Sequence, residues 1–249
     1  MNMKLTFLGT GTSTGVPYIG CDCEVCRSSD PKDNRLRCSS LLEVDGKYFL
    51  LDCGPDFRMQ ALRAGVKHLD AVLLTHKHTD HLGGLDDLRP FGEVPIYANE
   101  STVEHIHEVY SYCFNNTYKG IPTFVVRQIE NAKFSVCGVE VTPVLAHHYQ
   151  LPNFGYRIGN FAYLTDYKTI DDDEVEKLYG LDVLVLDALR YRDHFSHATV
   201  DESLALVARV KPKVAYFVHA SHEIGLHEKV ESSLPENVHL AYDGLTIEF

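Results

Sequence analysis

Several features that define other classes of protein are missing from this sequence. No apolar run approaches the roughly 20 residues that a membrane-spanning helix needs, and the start of the chain has no small-residue cleavage site. No basic block is present, and 23 lysines and arginines against 35 acidic residues give a net charge of -12. We therefore expect a cytoplasmic protein without membrane contact. Long nucleic acids are disfavoured as partners, because proteins bind them mainly by neutralising phosphates.

The glycine-rich segment near the start of the chain lacks a nucleotide-binding motif. It reads Gly9-Thr-Gly-Thr-Ser-Thr-Gly15-Val-Pro17, which matches neither G-x-G-x-x-G nor G-x-x-x-x-G-K-[ST]. We interpret it as a tight turn rather than a phosphate-binding loop.

A disulfide framework is also missing. The seven cysteines are odd in number, and no secretory signal precedes them. Three of them, Cys21, Cys23 and Cys26, form a C-x-C-x-x-C cluster. This cluster is typical of a metal-binding knuckle.

The stretch from Asp70 to Gly84 is the richest in reactive side chains. Its apolar run, Ala71 to Leu74, predicts a buried strand. Four side chains that can bind metal follow within six residues: His76, His78, Asp80 and His81. Because α/β proteins form sites at strand ends, this density indicates a cation site. The alternative is a polar loop that is merely rich in histidine.

The same arrangement recurs along the chain, where apolar strands end on an acid or a histidine. The further positions are Asp52, His148, Asp166, Asp187 and His219. Strand ends gather at one edge of a sheet, so residues distant in sequence can meet there. The pattern therefore predicts a shared metal centre.

With these motifs the chain resembles the metallo-β-lactamase-fold hydrolase superfamily, whose H-x-H-x-D-H motif stands here as His76-Lys-His78-Thr-Asp80-His81. The resemblance covers nearly the whole chain. It implies a four-layer αββα sandwich of the α/β (α+β) class, and we expect a single domain, residues 1–249. It also implies two metals, one held by His76, His78 and His148 and the other by Asp80, His81 and His219, with Asp166 bridging. His147 competes with His148, which fits the family spacing better.

Within that superfamily the chain is most similar to the phosphoribosyl cyclic phosphate phosphodiesterases of the carbon–phosphorus lyase pathway. The features that carry this similarity are the cysteine knuckle, in residues 20–38, the Asp187 strand with His197 downstream, and His219-Ala-Ser-His222. The similarity implies a separate structural Zn²⁺ bound by Cys21, Cys23, Cys26 and His222.

The same resemblance implies roles for individual residues. Asp80 and Asp166 would bind metal and orient the nucleophile, and His197 would contact the phosphate or protonate the leaving group. Asp52 is expected to accept a hydrogen bond from a ligand imidazole, with turn capping as its alternative role.

We therefore expect a metal-dependent phosphodiesterase that hydrolyses a small anionic phosphodiester, such as a ribose cyclic phosphate. A hydroxide bridging two Zn²⁺ or Mn²⁺ ions would be the nucleophile. The alternatives are a thioester or lactone hydrolase of the glyoxalase-II type, a tRNA 3′-processing endonuclease and a non-catalytic zinc-binding module. The acidic charge and the lack of a basic arm weaken the tRNA alternative.

Two further expectations concern the surface. The polar, aromatic loop in residues 115–122 is a candidate substrate lid. A homodimer is compatible with the chain, but no feature of the sequence predicts one.

Overall fold

The computed structural model describes residues 2–114, 120 and 122–249. The strands are β1 (Met3–Gly9), β2 (Ser39–Val44), β3 (Lys47–Leu51), β4 (Ala71–Leu73), β5 (Pro95–Ala98), β6 (Val125–Gln128), β7 (Phe134–Val136), β8 (Val139–His148), β9 (Leu151–Ile158), β10 (Phe161–Leu164), β11 (Thr169–Ile170), β12 (Val183–Asp187), β13 (Val214–Val218), β14 (Val238–Leu240) and β15 (Thr246–Glu248). The helices are α1 (Phe57–Ala64), α2 (Thr79–Leu82), α3 (Glu100–Val109), α4 (Asp172–Glu176), α5 (Val200–Val210) and α6 (His227–Ser233). None of these helices has both the length and the apolar character of a membrane span.

The strands form two mixed sheets. The first has the order β15-β1-β2-β3-β4-β5-β6, antiparallel from β15 to β3 and parallel from β3 to β6. The second has the order β11-β8-β9-β10-β12-β13-β14, with β7 paired to β8. Its strands β10, β12, β13 and β14 are parallel, and two antiparallel pairings make β8 parallel to them. The carboxyl ends of β8, β10, β12 and β13 therefore lie at one edge.

The side chains of the central strands alternate between two apolar clusters, as a sheet buried on both faces requires. Phe49 of β3 and Val185 of β12 enter the cluster between the sheets. Leu50 packs outward with α1 and α3, whereas Leu184 packs outward with α4, α5 and α6. Helices thus cover both outer faces, and the predicted αββα sandwich is confirmed.

Local sequence signals account for several element ends. Asp45 and Gly46 both have positive φ, 48° and 79°, between β2 and β3, as a type I′ turn requires. Asn99 caps α3, and Thr199 caps α5 with Glu202 in a capping box. Helix α3 ends at Val109 and is followed by a short 3₁₀ turn. Most of the candidate lid, residues 115–119 and 121, lies outside the described part of the chain.

Two glycines let the loop after β3 pack directly on the metal-motif turn. A Cβ atom at Gly54 would lie 2.0 Å from the carbonyl oxygen of Asp80, and one at Gly84 would lie 2.0 Å from that of Gly54. No side chain fits at either position. Close backbone packing therefore requires glycine at Gly54 and at Gly84, the second of which follows the histidine motif.

A buried arginine ties the glycine-rich turn to the C-terminal part of the chain. The Arg35 guanidinium donates to the Thr10 hydroxyl and to the Ala241 carbonyl. Burial lowers the pKa of Arg35 to about 10, although the Asp243 and Asp33 carboxylates favour its charged form. Removal of the arginine would leave the buried Thr10 hydroxyl and Ala241 carbonyl without this donor. It would also take one of two nearby cations away from the buried Asp243 carboxylate, which keeps Arg63 at 3.4 Å.

We predict that Arg35→Met lowers the free energy of unfolding by about 3–5 kcal/mol, measured by urea denaturation of the metal-loaded protein. Lys133→Met is the matched control, because Lys133 forms its ion pair with Glu140 on the surface. An exposed pair contributes at most about 1 kcal/mol, so the control is expected to unfold almost as wild type does. Equal effects of the two substitutions would contradict the structural role of Arg35.

Candidate metal centre

The predicted ligands converge because their strands end at one edge. Asp52 follows β3, and His76 and His78 follow β4. The one-turn helix α2 carries Asp80 and His81. The second sheet contributes the remaining three ligands at or after the ends of β8, β10 and β13: His148, Asp166 and His219.

Three of these strand ends have an unusual backbone conformation. The φ angles are 61° at Asp52, 51° at Asp166 and 60° at His219, in the left-handed region that side chains other than glycine rarely adopt. Such conformations cost about 1–3 kcal/mol each and concentrate at functional sites. The turn that each produces redirects a strand-end side chain into the shared space.

The first group of ligand atoms comes from His76, His78 and His148, which lie within 4.8 Å of one another. His76 and His148 are buried, whereas His78 lies on the exposed side. Burial is the main cause that lowers the pKa of each ring, well below the ordinary value for His76 and to about 4 for His148. The rings therefore favour the neutral form, which is the form that binds metal.

The second group consists of Asp80, His81, Asp166 and His219, again within 4.8 Å of one another. The Asp166 Oδ2 atom lies 3.3 Å from His81 Nε2 and 3.8 Å from His76 Nε2, so this carboxylate faces both groups. Its burial opposes ionisation, but His219 and His81 outweigh burial and keep the pKa of Asp166 well below its ordinary value. Asp166 is placed where a bridging ligand would be.

Buried nitrogen atoms that make no hydrogen bond indicate whether these residues are suited to bind a metal ion. His81 Nε2 and both ring nitrogens of His219 are buried and make no hydrogen bond within the described structure. His81 Nε2 approaches the Asp80 carboxylate to 3.2 Å, yet the geometry is not that of a hydrogen bond. An unpaired buried polar atom costs about 1–3 kcal/mol. Lone pairs that converge in this way with carboxylates fit divalent metal ions.

A hydrogen-bonded chain behind the ligands fixes the orientation of two rings. His81 Nδ1 donates to Asp52 Oδ2 at 2.8 Å. The Thr75 hydroxyl donates to the same carboxylate and lies 3.0 Å from His76 Nδ1, from which it accepts. Asp52 thus supports one ring from each group, and its hydrogen bonds leave the Nε2 atoms of both rings facing the centre.

His197 lies beside both groups but is held by a different carboxylate. Its Nδ1 atom is 2.9 Å from Asp187 Oδ2, and both residues are buried. Burial lowers the pKa of His197 and raises that of Asp187 well above its ordinary value. The pairing leaves His197 Nε2 as the free ring nitrogen, and His197 stands in one cluster with His148 and Asp166.

The cysteine knuckle forms a separate cluster. Cys21, Cys23, Cys26 and His222 lie within 4.8 Å of one another, and the Sγ atoms of Cys21 and Cys23 are both 3.4 Å from His222 Nδ1. A tetrahedron with Zn–S bonds of about 2.3 Å and a Zn–N bond of about 2.0 Å has edges near 3.5 Å. The donor set and the spacing both suit Zn²⁺.

The structure also assigns positions that the sequence left open. His148 belongs to the first ligand group, whereas His147, its neighbour on β8, does not. Thr75 supports Asp52, and the Asn153 side chain donates to the carbonyls of Thr165 and Asp166. Neither Thr75 nor Asn153 could be identified from the sequence, because neither residue type is a typical metal ligand.

Several known proteins are similar to this chain in sequence and in fold. Residues 47–220 match the family model of a beta-lactamase superfamily domain. A crystal structure of a new diphosphatase from the PhnP family is similar over 100% of this chain and 98% of that one, with 44% sequence identity and a TM-score of 0.94. Zn²⁺-bound PqqB from Methylobacterium extorquens shares 20% identity over 98% of this chain and 99% of that one, at a TM-score of 0.80, so it supports the fold alone.

A curated relative carries a different activity in its name. An octanoyltransferase of Porphyromonas gingivalis is 43% identical over 250 residues. The alignment covers 98% of this chain but 51% of that protein, so the chain spans about half the length of the relative. The name therefore describes a protein with a long segment that has no counterpart here.

We predict that the purified protein contains about three metal ions per chain and that Cys23→Ser contains about two, because the knuckle loses a thiolate ligand. The variant is also expected to unfold at a lower temperature. Metal content is measured by mass spectrometry of protein passed through a desalting column. Cys137→Ser, at an exposed cysteine outside the clusters, is the matched control and is expected to match wild type. Equal metal content in all three proteins would contradict the knuckle assignment.

Proposed function

Because the chain belongs to the beta-lactamase superfamily and has its metallo-hydrolase fold, we propose that it is a metal-dependent phosphodiesterase acting on a small cyclic phosphodiester of ribose. In this proposal His76, His78 and His148 hold one metal, Asp80, His81 and His219 hold a second, and Asp166 bridges. Zn²⁺ and Mn²⁺ both suit these ligands. The cysteine knuckle holds a third, structural Zn²⁺.

Bound divalent ions would supply a nucleophile at neutral pH and neutralise charge on the phosphoryl group. The side chains of the chain position these charges. Asp80 and Asp166 bring negative charge to a centre that is otherwise lined by imidazoles, and Asp52 keeps His81 in one orientation through its hydrogen bond. His78, on the exposed side of the centre, marks the direction from which substrate enters.

The buried pair of His197 and Asp187 is the observation that carries the choice of substrate class. Asp187 Oδ2 lies 2.9 Å from His197 Nδ1, so the other ring nitrogen, Nε2, is left to exchange a proton with a leaving group. Burial lowers the pKa of His197, whereas the Asp166 and Asp80 carboxylates favour its protonated form. A sugar alkoxide is a strongly basic leaving group and gains from protonation. A thiolate, with the low pKa of about 8.5 typical of a thiol, leaves without such help. A positioned proton donor therefore favours a phosphodiester over a thioester.

Hydrolysis of a diphosphate is the second candidate. The full-length similarity to a PhnP-family diphosphatase favours it. Both reactions break a P–O bond of an anionic substrate and need the same metal centre. They differ in the leaving group, which is a sugar oxygen in one and a phosphate in the other.

Activity measurements separate these classes. We expect turnover of a ribose cyclic phosphate or of a nucleoside cyclic phosphate by the metal-loaded protein. A diphosphate diester, S-lactoylglutathione and an octanoyl thioester complete the panel of substrates. Activity restricted to the diphosphate would replace the first candidate by the second. Activity restricted to a thioester would contradict both.

We predict that His197→Ala lowers kcat/KM about 10²- to 10⁴-fold on the ribose cyclic phosphate, because the leaving alkoxide loses its proton donor. The loss on bis-p-nitrophenyl phosphate is expected to be much smaller, since p-nitrophenolate leaves without protonation. Asp187→Asn is expected to show the same selective loss, because it disturbs the orientation of the ring.

Metal content is measured for each variant and is expected to equal that of wild type. His68→Ala is the matched control, because His68 is largely exposed and lies outside the metal clusters. An equal loss on both substrates, or loss of the dinuclear metals, would contradict the role proposed for His197.

A further inference from the structure

Two large aromatic side chains stand exposed beside the metal centre and touch each other. Phe195 is 69% exposed and Tyr149 is 59% exposed. Their ring centroids are 5.7 Å apart and their planes meet at 83°. Exposed apolar residues that occur singly are common, whereas a contacting pair at the mouth of a site is a mark of ligand binding.

The backbone holds Tyr149 in this position at a cost. Tyr149 and Gln150 form the two-residue connection between β8 and β9, and Tyr149 has a φ of 56°. Asparagine or glycine adopts this left-handed conformation with less strain than a bulky aromatic residue. Packing of the side chain does not offset this strain, because the ring remains mostly exposed. A ligand-binding role accounts for a tyrosine here.

A third ring connects Phe195 to the metal centre. The ring centroids of His194 and Phe195 are 4.7 Å apart with an angle of 31° between the planes, so the two rings contact each other in a tilted arrangement. His194 is in turn 5.1 Å from His197, which is 4.4 Å from the metal-cluster residue His148. We call Tyr149, His194 and Phe195 the aromatic corner. The corner adjoins the centre directly, because Tyr149 follows His148 in the chain and His148 Nδ1 donates to the carbonyl of Ser196, the residue after Phe195.

The shape of the aromatic corner suits a flat ring. Phe195 contacts His194 in a tilted arrangement and Tyr149 at nearly a right angle, while most of the Phe195 surface is open. A flat ring that stacks on either of these two exposed rings lies nearly perpendicular to the other, which is a favourable aromatic arrangement. A flexible alkyl chain gains most from an enclosing groove, and this corner is open.

The charges around the aromatic corner favour an uncharged ligand group. The cations near this loop already have carboxylate partners: Lys168 pairs with Asp193 at 2.9 Å and with Glu202 at 2.8 Å. Arg190 and Arg192 both pair with Glu223. The metal centre attracts the phosphate, and the corner offers aromatic surface.

From these contacts we propose that the aromatic corner binds the nucleobase of a nucleotide whose phosphate lies at the metal centre. This inference rests on the proposed phosphodiesterase function and narrows its substrate class to nucleotides. Phe195 supplies the stacking face, Tyr149 the perpendicular wall and His194 a tilted contact with Phe195. These residues set specificity and take no part in breaking the P–O bond.

Binding of reaction products tests the aromatic corner without turnover. Isothermal titration of the metal-loaded protein compares AMP with ribose 5-phosphate, which lacks the base. Base stacking on an aromatic side chain is expected to make AMP bind about tenfold to a hundredfold tighter. Phe195→Ala and Tyr149→Ala are expected to reduce this advantage to about threefold or less, and Phe195→Tyr is expected to keep it. Binding of ribose 5-phosphate should stay within about twofold of wild type in all variants.

Tyr191→Ala is the matched control. Tyr191 lies in the same loop and is 44% exposed, but its hydroxyl is directed to Ser233. Equal affinity of wild type for AMP and ribose 5-phosphate would overturn the proposal. Equal weakening of both ligands in Phe195→Ala would also overturn it. Octyl phosphate that binds tighter than AMP in a Phe195-dependent manner would identify an alkyl site instead.

Kinetics distinguishes failure of this inference from failure of the proposed function. The pair of substrates is adenosine 2′,3′-cyclic phosphate and methyl riboside 2,3-cyclic phosphate. Hydrolysis of both at equal kcat/KM would support the phosphodiesterase function and contradict base binding at the aromatic corner. Absence of hydrolysis by the metal-loaded protein would contradict the phosphodiesterase function. The binding comparison of AMP with ribose 5-phosphate tests base binding at the aromatic corner independently of turnover.

Discussion

The central constraint on the structure is a buried cluster of imidazoles and carboxylates in which some ring nitrogens make no hydrogen bond. His219 has both ring nitrogens in this state, and His81 has one. In the closely packed interior between two sheet edges, such atoms cost free energy unless something else binds their lone pairs. Divalent metal ions bound by the Nε2 atoms of His81 and His219 would resolve this conflict there and would neutralise the negative charge of Asp80 and Asp166. The other ring nitrogen of His219, Nδ1, faces Asp187 Oδ1 at 3.8 Å. The fold and the metal centre are therefore energetically coupled.

The remainder of the fold supports this arrangement. Parallel strands bring Asp166, Asp187 and His219 to one edge, and left-handed backbone at Asp52, Asp166 and His219 turns the chain there. Close contacts at Gly54 and Gly84 hold the loop after β3 against the metal-motif turn. Farther away, Arg35 secures the glycine-rich segment, whose backbone pairs with the residue after His219. Rigid elements thus fix most of the ligands before metal binds.

Much of this arrangement was predictable, since strand-end acids and histidines follow directly from the pattern of apolar runs. The H-x-H-x-D-H motif and the cysteine cluster carry enough spacing information to propose both kinds of metal site. Asn99 and Thr199 are residue types that favour helix starts, and each caps a helix. Other features depend on tertiary contacts. The support of Asp52 by Thr75, the positive φ of Tyr149 and its contact with Phe195 have no periodic signature in the sequence.

Anomalous X-ray scattering from crystals of the metal-loaded protein shows directly whether metal ions occupy the strand-end edge and the cysteine knuckle. We expect two peaks about 3.5–4 Å apart at the strand-end edge. One peak should have His76, His78 and His148 as ligands, and the other Asp80, His81 and His219, with Asp166 between them. A third peak is expected at the cysteine knuckle. A peak at the knuckle alone, with His81 and His219 still unpaired, would contradict the assignment of a metal centre to the strand-end edge.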